Sequence, residues 1–185
     1  MNHPNNLPHR RSIRLQGYDY SQAGAYFVTI CTQGKECLFG GMENGAVALN
    51  EYGCVVRDEW LKAAEFRTEI WAGEFVVMPN HFHGIVIIAE PTVGAIVRAI
   101  HESPLPNQSL QQQRRQMTLS KIIGRFKMLT AKRINEIRQL PGIPVWQRNY
   151  YEHVIRNEDD YRQIAEYIAD NPHRWAEDTL HPDAG

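Results

Sequence analysis

The stretch EFVVMPNHFHGIVII, residues 74–88, decides the fold of this 185-residue chain. It contains two apolar runs rich in β-branched and aromatic residues, 74–78 and 81–88, which predict two strands. Pro79 and Asn80 between them are typical turn residues, because proline fixes one backbone angle and asparagine tolerates turn conformations. The stretch therefore predicts two neighbouring strands of one sheet.

Further elements flank this pair. Residues 25–32 predict a buried strand, and residues 51–69 carry apolar side chains at near-helical spacing. A second helix is predicted from Thr118 to Pro141–Gly142, an extended segment at 145–155, and a last helix at 159–170. The glycine-rich residues 34–50 could hold a short hairpin. This order is typical of an α+β fold with a mainly antiparallel sheet and helices packed on one face.

The length of the chain suits one compact domain, which we expect at residues 22–176. Residues 1–21 are expected to be a flexible N-terminal arm, 91–116 a flexible insertion, and 177–185 a tail. The three cysteines have no CxxC spacing, so neither a disulfide framework nor a cysteine zinc site is expected. The sequence shows neither a signal peptide nor an apolar run of about 20 residues, so we expect a soluble, cytoplasmic protein.

His81 and His83 are the first candidate site. Side chains two residues apart on a strand project from the same face, so both imidazoles point one way and Phe82 points the other. The strand rise brings them close enough to bind one metal ion. The alternative is a strand with two ordinary histidines on an exposed face.

Tyr167 and Asn171 are the second candidate site. They are four residues apart near the end of the last helix and share a face if the helix reaches Asn171. An amide oxygen suits a hard divalent cation, and a tyrosine one turn away would lie beside the ion. Such an ion could orient a phosphate for attack by the phenol, which alone is a weak nucleophile. The alternative is a packed tyrosine and a simple helix stop.

The helix after Thr118 is the third candidate, although the net charge of the chain is only −1. Its basic residues could follow a phosphate backbone, or they could form an ordinary solvated face. The aromatic segment after Val145 could stack unpaired bases or pack in the core. The candidate DNA-binding residues are Lys121, Arg125, Lys127, Lys132, Arg133 and Arg148.

Three motifs in this order resemble the REP-associated tyrosine transposases, a branch of the single-tyrosine HUH transposases. Residues 75–85, FVVMPNHFHGI, resemble the histidine–hydrophobe–histidine motif, and residues 145–156, VWQRNYYEHVIR, resemble the WQ…EH…IR signature. Asp160–Tyr161–Arg162, Tyr167–Ile168 and Asn171–Pro172 match the DYR…YI…NP ending. The resemblance covers about residues 12–175.

This resemblance implies a ferredoxin-like fold with the two histidines on a sheet strand and the tyrosine on a helix. It implies that His81, His83 and Asn171 bind magnesium or manganese and that Tyr167 is the nucleophile, forming a 5′-phosphotyrosine intermediate. It also implies that the partner is single-stranded DNA carrying a palindromic repeat hairpin, and it favours a monomer over a homodimer. Residues 91–116 form a longer insertion than compact members of the branch have.

The favoured function is therefore a metal-dependent, site-specific endonuclease and strand transferase of single-stranded DNA. A non-catalytic hairpin-binding protein derived from a transposase is the main alternative. A metal hydrolase of small phosphoesters would use the histidines without Tyr167. An interaction module without metal or DNA would leave the basic helix unexplained.

Overall fold

The computed structural model describes residues 23–65, 70–89 and 119–184. The predicted arm, residues 1–21, and the predicted insertion, residues 91–116, lie outside the described residues. So does Thr118, the predicted start of the second helix. Within the described ranges, no helix combines the length and the apolar character needed to cross a membrane.

Six strands and three helices make up the described fold. The strands are β1 (Gly24–Cys31), β2 (Gly40–Glu43), β3 (Ala46–Leu49), β4 (Ile70–Val77), β5 (His81–Ile88) and β6 (Tyr151–Ile155). The helices are α1 (Glu51–Glu65), α2 (Leu119–Ile137) and α3 (Glu158–Asp170). A 3-10 helix, Trp175–Glu177, follows α3. Strands β2 and β3 form the short hairpin that the glycine-rich segment suggested.

The main sheet has the strand order β4-β5-β1-β6, and all of its pairs are antiparallel. With α1 after β1 and α2 after β5, the chain follows the β-α-β-β-α-β order of the ferredoxin-like fold. The predicted α+β class and antiparallel sheet are confirmed. Strand β4 begins at Ile70, four residues before the predicted start, because a bulge between Ala72 and Phe75 interrupts the alternation there.

The helices α1 and α2 cover one face of the sheet, as predicted. Trp60 of α1 and Phe126 of α2 both pack on Phe82 of β5, with ring centroids 4.6 and 5.3 Å from it. A side chain at Gly84 would meet the rings of Phe82 and Trp60 at 2.7 and 2.8 Å. This close packing fixes β5 against the helical layer and leaves its histidines on the opposite face.

The position of the last helix differs from the prediction that the helices pack on one face, because α3 lies on the other side of the sheet. Ile168 of α3 packs with Phe27, Ile85 and Ile155, the residues that point away from α1 and α2. The physical reason is in β5 itself: Ile85 lies on the same face as His81 and His83, so that face is also partly apolar and must be covered. The tyrosine helix and the two histidines thus share one side of the molecule.

Candidate metal and tyrosine site

The two histidines lie side by side at the start of β5. Their ring centroids are 4.5 Å apart, and both side chains are almost completely buried. Strand pairing sets their positions, with His81 opposite Cys31 and His83 opposite Thr29 of β1. The predicted shared face of the two imidazoles is therefore present, and the face is a buried one.

Asn80 fixes the orientation of the His81 ring. Its amide nitrogen donates to the backbone carbonyls of Lys35 and Leu180, at 3.1 and 2.7 Å. The amide oxygen therefore faces His81 Nδ1, 2.8 Å away, and accepts its proton. His81 Nε2 consequently carries a free lone pair, which is the form that binds a metal ion.

Thr29 lies beside His83 as Asn80 lies beside His81, with an oxygen next to the ring Nδ1. Its Oγ1 lies 2.8 Å from His83 Nδ1, and the residue is buried in the centre of the sheet. When Nδ1 donates to this oxygen, Nε2 of His83 is left as the second metal-binding nitrogen. Both Nε2 atoms then belong to the same side of the site.

The C-terminal end of α3 brings Tyr167 and Asn171 to the histidines. The Tyr167 hydroxyl lies 3.4 Å from His83 Nε2, a long hydrogen bond, and 42% of the residue is exposed. Asn171 keeps helical backbone angles, so it shares a face with Tyr167 as the spacing predicts. Its side chain is buried, and its Oδ1 accepts no hydrogen bond from the described residues.

Asp178 is a member of the site that the sequence did not indicate. It follows the 3-10 helix after α3, and its Oδ2 lies 3.7 Å from His81 Nε2. One ligand atom each from His81, His83 and Asp178 all lie within 4.8 Å of one another. Residues 177–184, predicted as a tail, thus place a carboxylate beside the two imidazoles. Neither spacing nor a motif connects Asp178 with residues almost a hundred positions earlier.

Burial controls the charge state of the site. It lowers the pKa of His81 to about 4, against the opposing effects of Asp178 and the Asn171 amide. Burial and the adjacent His81 hold the pKa of His83 well below its usual value. Both rings are therefore neutral near pH 7. Burial and Asp178 raise the pKa of Tyr167, while Asn171 and Arg174 oppose this effect.

The donor set fits a divalent cation. His81 Nε2, Asn171 Oδ1 and Asp178 Oδ2 are buried and have no hydrogen-bond partner among the described residues. Neutral imidazoles bind many divalent metals, and amide and carboxylate oxygens suit magnesium and manganese. A buried carboxylate oxygen without a partner, such as Asp178 Oδ2, is costly, and a bound cation would offset that cost.

The predicted DNA-binding residues of α2 divide into two groups. Lys121, Arg125 and Lys132 lie on the exposed outer stripe of the helix, and Lys132 makes a 3.9 Å surface pair with Glu136. Because α2 packs on the sheet face opposite to His81, this stripe points away from the histidines. Contacts here could hold only a part of the DNA remote from the site.

The other two residues of α2 have partners within the protein. Lys127 donates to the carbonyls of Gln147 and Arg148 at 2.6 and 3.0 Å, and burial lowers its pKa. Arg133 pairs with Glu59 of α1 at 2.6 Å. Both residues thus connect elements of the fold.

Arg148 is exposed and lies at the histidine end of the sheet. The neighbouring Trp146 bridges Thr32, one residue beyond the Cys31–His81 pair. Trp146 itself is buried against Phe39, with ring centroids 4.9 Å apart, and so packs in the core.

Tyr161, the other tyrosine of α3, bonds to a residue outside the candidate site. The Tyr161 hydroxyl donates to Glu74 of β4, and burial together with Glu74 raises the pKa of Tyr161 to about 12. Tyr151 is opposite Thr29 in the sheet and is half exposed, but its ring contacts Phe27. Of Tyr151, Tyr161 and Tyr167, it is Tyr167 whose hydroxyl lies within hydrogen-bonding distance of a histidine.

Comparison with solved structures finds several similar chains, including the following two. One is a REP-associated tyrosine transposase bound to a REP hairpin, with 20% identity, 86% of this chain and 72% of that chain covered, and a TM-score of 0.48. The other is a Deinococcus radiodurans R1 protein described provisionally as a transposase, with 15% identity, 85% and 95% coverage, and a TM-score of 0.45.

Comparison of sequences gives a nearer relative. No protein-family model matches the chain. A Haemophilus influenzae protein (strain ATCC 51907 / DSM 11121 / KW20 / Rd), described as an uncharacterized protein, is 43% identical over 182 residues, and the match covers 96% of each sequence. The chain belongs to the same protein family as this Haemophilus influenzae relative.

Proposed function

We propose that the protein is a metal-dependent, site-specific endonuclease and strand transferase of single-stranded DNA, with Tyr167 as its nucleophile. The observation that carries the proposal is the position of the Tyr167 hydroxyl, 3.4 Å from His83 Nε2 and beside a cluster of buried metal-ligand atoms. The motifs shared with REP-associated tyrosine transposases agree with this arrangement.

His81, His83 and Asn171 would hold the divalent cation, magnesium or manganese. When bound, the cation withdraws charge from the scissile phosphate and orients it for in-line attack. Tyr167 is 42% exposed, so a DNA strand could reach it. The Nε2 lone pair of His83 can bind either a metal ion or the Tyr167 hydroxyl, but not both. Metal binding would therefore break the contact between Tyr167 and His83.

The reaction exchanges one phosphoester for another. The Tyr167 oxygen attacks the phosphorus and forms a 5′-phosphotyrosine, while the bond from phosphorus to the 3′ oxygen breaks. The phenolic proton goes to solvent, and the departing 3′ oxygen takes up a proton to become a hydroxyl. A second 3′ hydroxyl can reverse the step and join another strand without a nucleotide cofactor, because the ester bond is retained.

The DNA partner in this proposal is a strand folded into a palindromic repeat hairpin, acted on by a monomer. Arg148 is exposed at the histidine end of the sheet, and Lys121, Arg125 and Lys132 are exposed for contacts farther along the phosphate backbone. Lys127 and Arg133 are left out because each has a partner within the protein.

Covalent trapping on a denaturing gel tests the proposal. Labelled hairpin oligonucleotides from repeats flanking the gene would be incubated with the protein in manganese, magnesium or chelator. We expect a protein–DNA band that requires metal and is lost in Tyr167→Phe. Tyr161→Phe is the matched control. It removes a hydroxyl from the same helix, but that hydroxyl bonds to Glu74.

The other results would each favour a different function. An adduct that survives in Tyr167→Phe would disprove the assigned nucleophile. Hairpin binding without an adduct in any metal would favour the alternative, a non-catalytic hairpin-binding protein. Metal-dependent cleavage without an adduct, and indifferent to Tyr167→Phe, would indicate a phosphoester hydrolase.

A further inference from the structure

The chain after α3 turns back over the histidines. Trp175 lies against His81, with ring centroids 5.9 Å apart, and the His181 ring packs on Trp175 at 4.8 Å. Between these two residues, the Asp178 side chain is only 7% exposed. The segment from Trp175 to Ala184, which we name the C-terminal segment, therefore covers one side of the candidate metal site.

Hydrogen bonds hold this segment in place. Asn80, which orients His81 through its amide oxygen, donates through its nitrogen to Leu180 O at 2.7 Å. Lys35 Nζ donates to Thr179 O at 3.2 Å. The Asp178 Oδ1 accepts the backbone N–H of Leu180 at 2.7 Å, which leaves Oδ2 directed at the histidines.

The Oδ2 atom has no partner that explains its burial. It accepts no hydrogen bond from the residues described, and its 3.7 Å separation from His81 Nε2 is too long for one. His81 Nε2 carries a lone pair rather than a proton, because Nδ1 donates to Asn80. Two acceptors thus face each other across a gap, an arrangement that a cation between them would stabilise.

We propose that Asp178 is a ligand of the divalent cation, supplied by the C-terminal segment in addition to His81, His83 and Asn171. This inference rests on the proposed function for the metal site itself. The carboxylate would reduce the net charge of the occupied site from +2 to +1 and add a hard oxygen ligand, which favours manganese and magnesium over softer ions. Metal binding would then hold the C-terminal segment against the histidines.

Isothermal titration of the full chain with manganese tests the ligand. Asp178→Asn keeps the size of the side chain and removes its charge, so we expect it to weaken manganese binding at least about tenfold. Asp183→Asn is the matched control, because this carboxylate of the same segment is 92% exposed, and its affinity should equal that of the wild type. Thermal melts without metal would verify that both variants are folded.

The outcomes separate this inference from the proposed function. Unchanged affinity in Asp178→Asn, with binding abolished in His83→Ala, would overturn the role of Asp178 and leave the metal site intact. A wild-type protein that binds no manganese would overturn the metal site and with it the role of Asp178.

Limited trypsin digestion gives a second test of the same inference. Arg174 is exposed and immediately precedes the C-terminal segment, so cleavage after it releases that segment. We expect manganese to slow this cleavage severalfold in the wild type, as followed by intact-mass spectrometry, and to have no effect in Asp178→Asn. Equal rates with and without manganese in the wild type would overturn the proposed coupling.

Discussion

Thr29 and Thr130 are two buried threonines with contrasting partners. The hydroxyl of Thr29 bonds to His83 Nδ1, whereas Thr130 accepts the indole N–H of Trp146 at 2.8 Å, on the other side of the sheet. Replacement by valine keeps the shape of each side chain and removes its hydroxyl. Comparing the two valine variants therefore distinguishes an effect on the candidate metal site from an effect on the core.

We expect Thr29→Val to weaken manganese binding by about tenfold to a hundredfold, because His83 loses the acceptor that fixes its ring and its tautomer. Thr130→Val should leave metal affinity unchanged and lower the free energy of unfolding by about 1–3 kcal/mol, since it strands a buried N–H. Isothermal titration and urea denaturation measure the two effects. Normal affinity in Thr29→Val would show that Thr29 does not support the site.

Asn80 connects two parts of the site through one amide group. Its oxygen orients His81, and its nitrogen bonds to carbonyls before β2 and after α3. An aspartate here would lose both donated bonds, although its shape is nearly the same. The identity of this turn residue is thus explained by the site, beyond its general suitability for a turn.

At the scale of elements, α2 carries two kinds of cation on one helix. Lys121 and Arg125 are exposed, while Arg133 is paired with Glu59 of α1 and Lys127 holds the loop before β6. A cation engaged within the protein contributes to folding, and a free one can release counterions from DNA.

This division predicts different effects of two double variants on hairpin binding. Lys121→Gln with Arg125→Gln should keep the unfolding midpoint and reduce the salt dependence of the binding constant by about one unit for each phosphate that is no longer neutralised. Lys127→Met with Arg133→Gln should lower the unfolding midpoint and leave that dependence as in the wild type. Fluorescence anisotropy at several salt concentrations, beside thermal melts, provides both readings. The reverse pattern would show that Lys127 and Arg133, rather than Lys121 and Arg125, contact the DNA.

At the scale of the whole molecule, the site joins segments that are distant along the chain. Thr29 is on β1, the histidines are on β5, and Asn171 and Asp178 follow more than 80 residues later. The unfolded chain cannot bring these groups together, so a metal ion should bind the folded state alone.

Manganese should therefore raise the melting temperature of the wild type. A concentration of 100 times the dissociation constant stabilises a one-site protein by about 2.7 kcal/mol, which corresponds to a rise of roughly 5–10 °C for a domain of this size. Chelator should reverse the rise, and His81→Ala should abolish it. His153→Ala should retain the rise, because the imidazole that it removes pairs with Asp160 and not with the candidate ligands. An equal shift in all three proteins would indicate unspecific binding.

Local patterns in the sequence predicted the parts of the site that depend on one element. The shared face of His81 and His83 follows from strand alternation, and that of Tyr167 and Asn171 from helical spacing. Thr29 became part of the site only through the pairing of β1 with β5, and Asp178 through the return of the chain after α3. Such long-range contacts leave no periodic signal. The side of the sheet that α3 covers was missed for the same reason.

The limited burial of α3 distinguishes this helix from the central strands of the sheet. This helix buries one residue completely, Ile168, whereas β1 and β5 run through the centre of the sheet. Elements with few buried contacts open at a lower free energy than the core does. The candidate metal ligands His81 and His83 thus lie in the central sheet, whereas Tyr167 lies on a helix that we expect to open more easily than the sheet when no metal ion joins Asn171 to the histidines. After release of the ion, a DNA end joined to Tyr167 would move with α3 while the sheet stays folded.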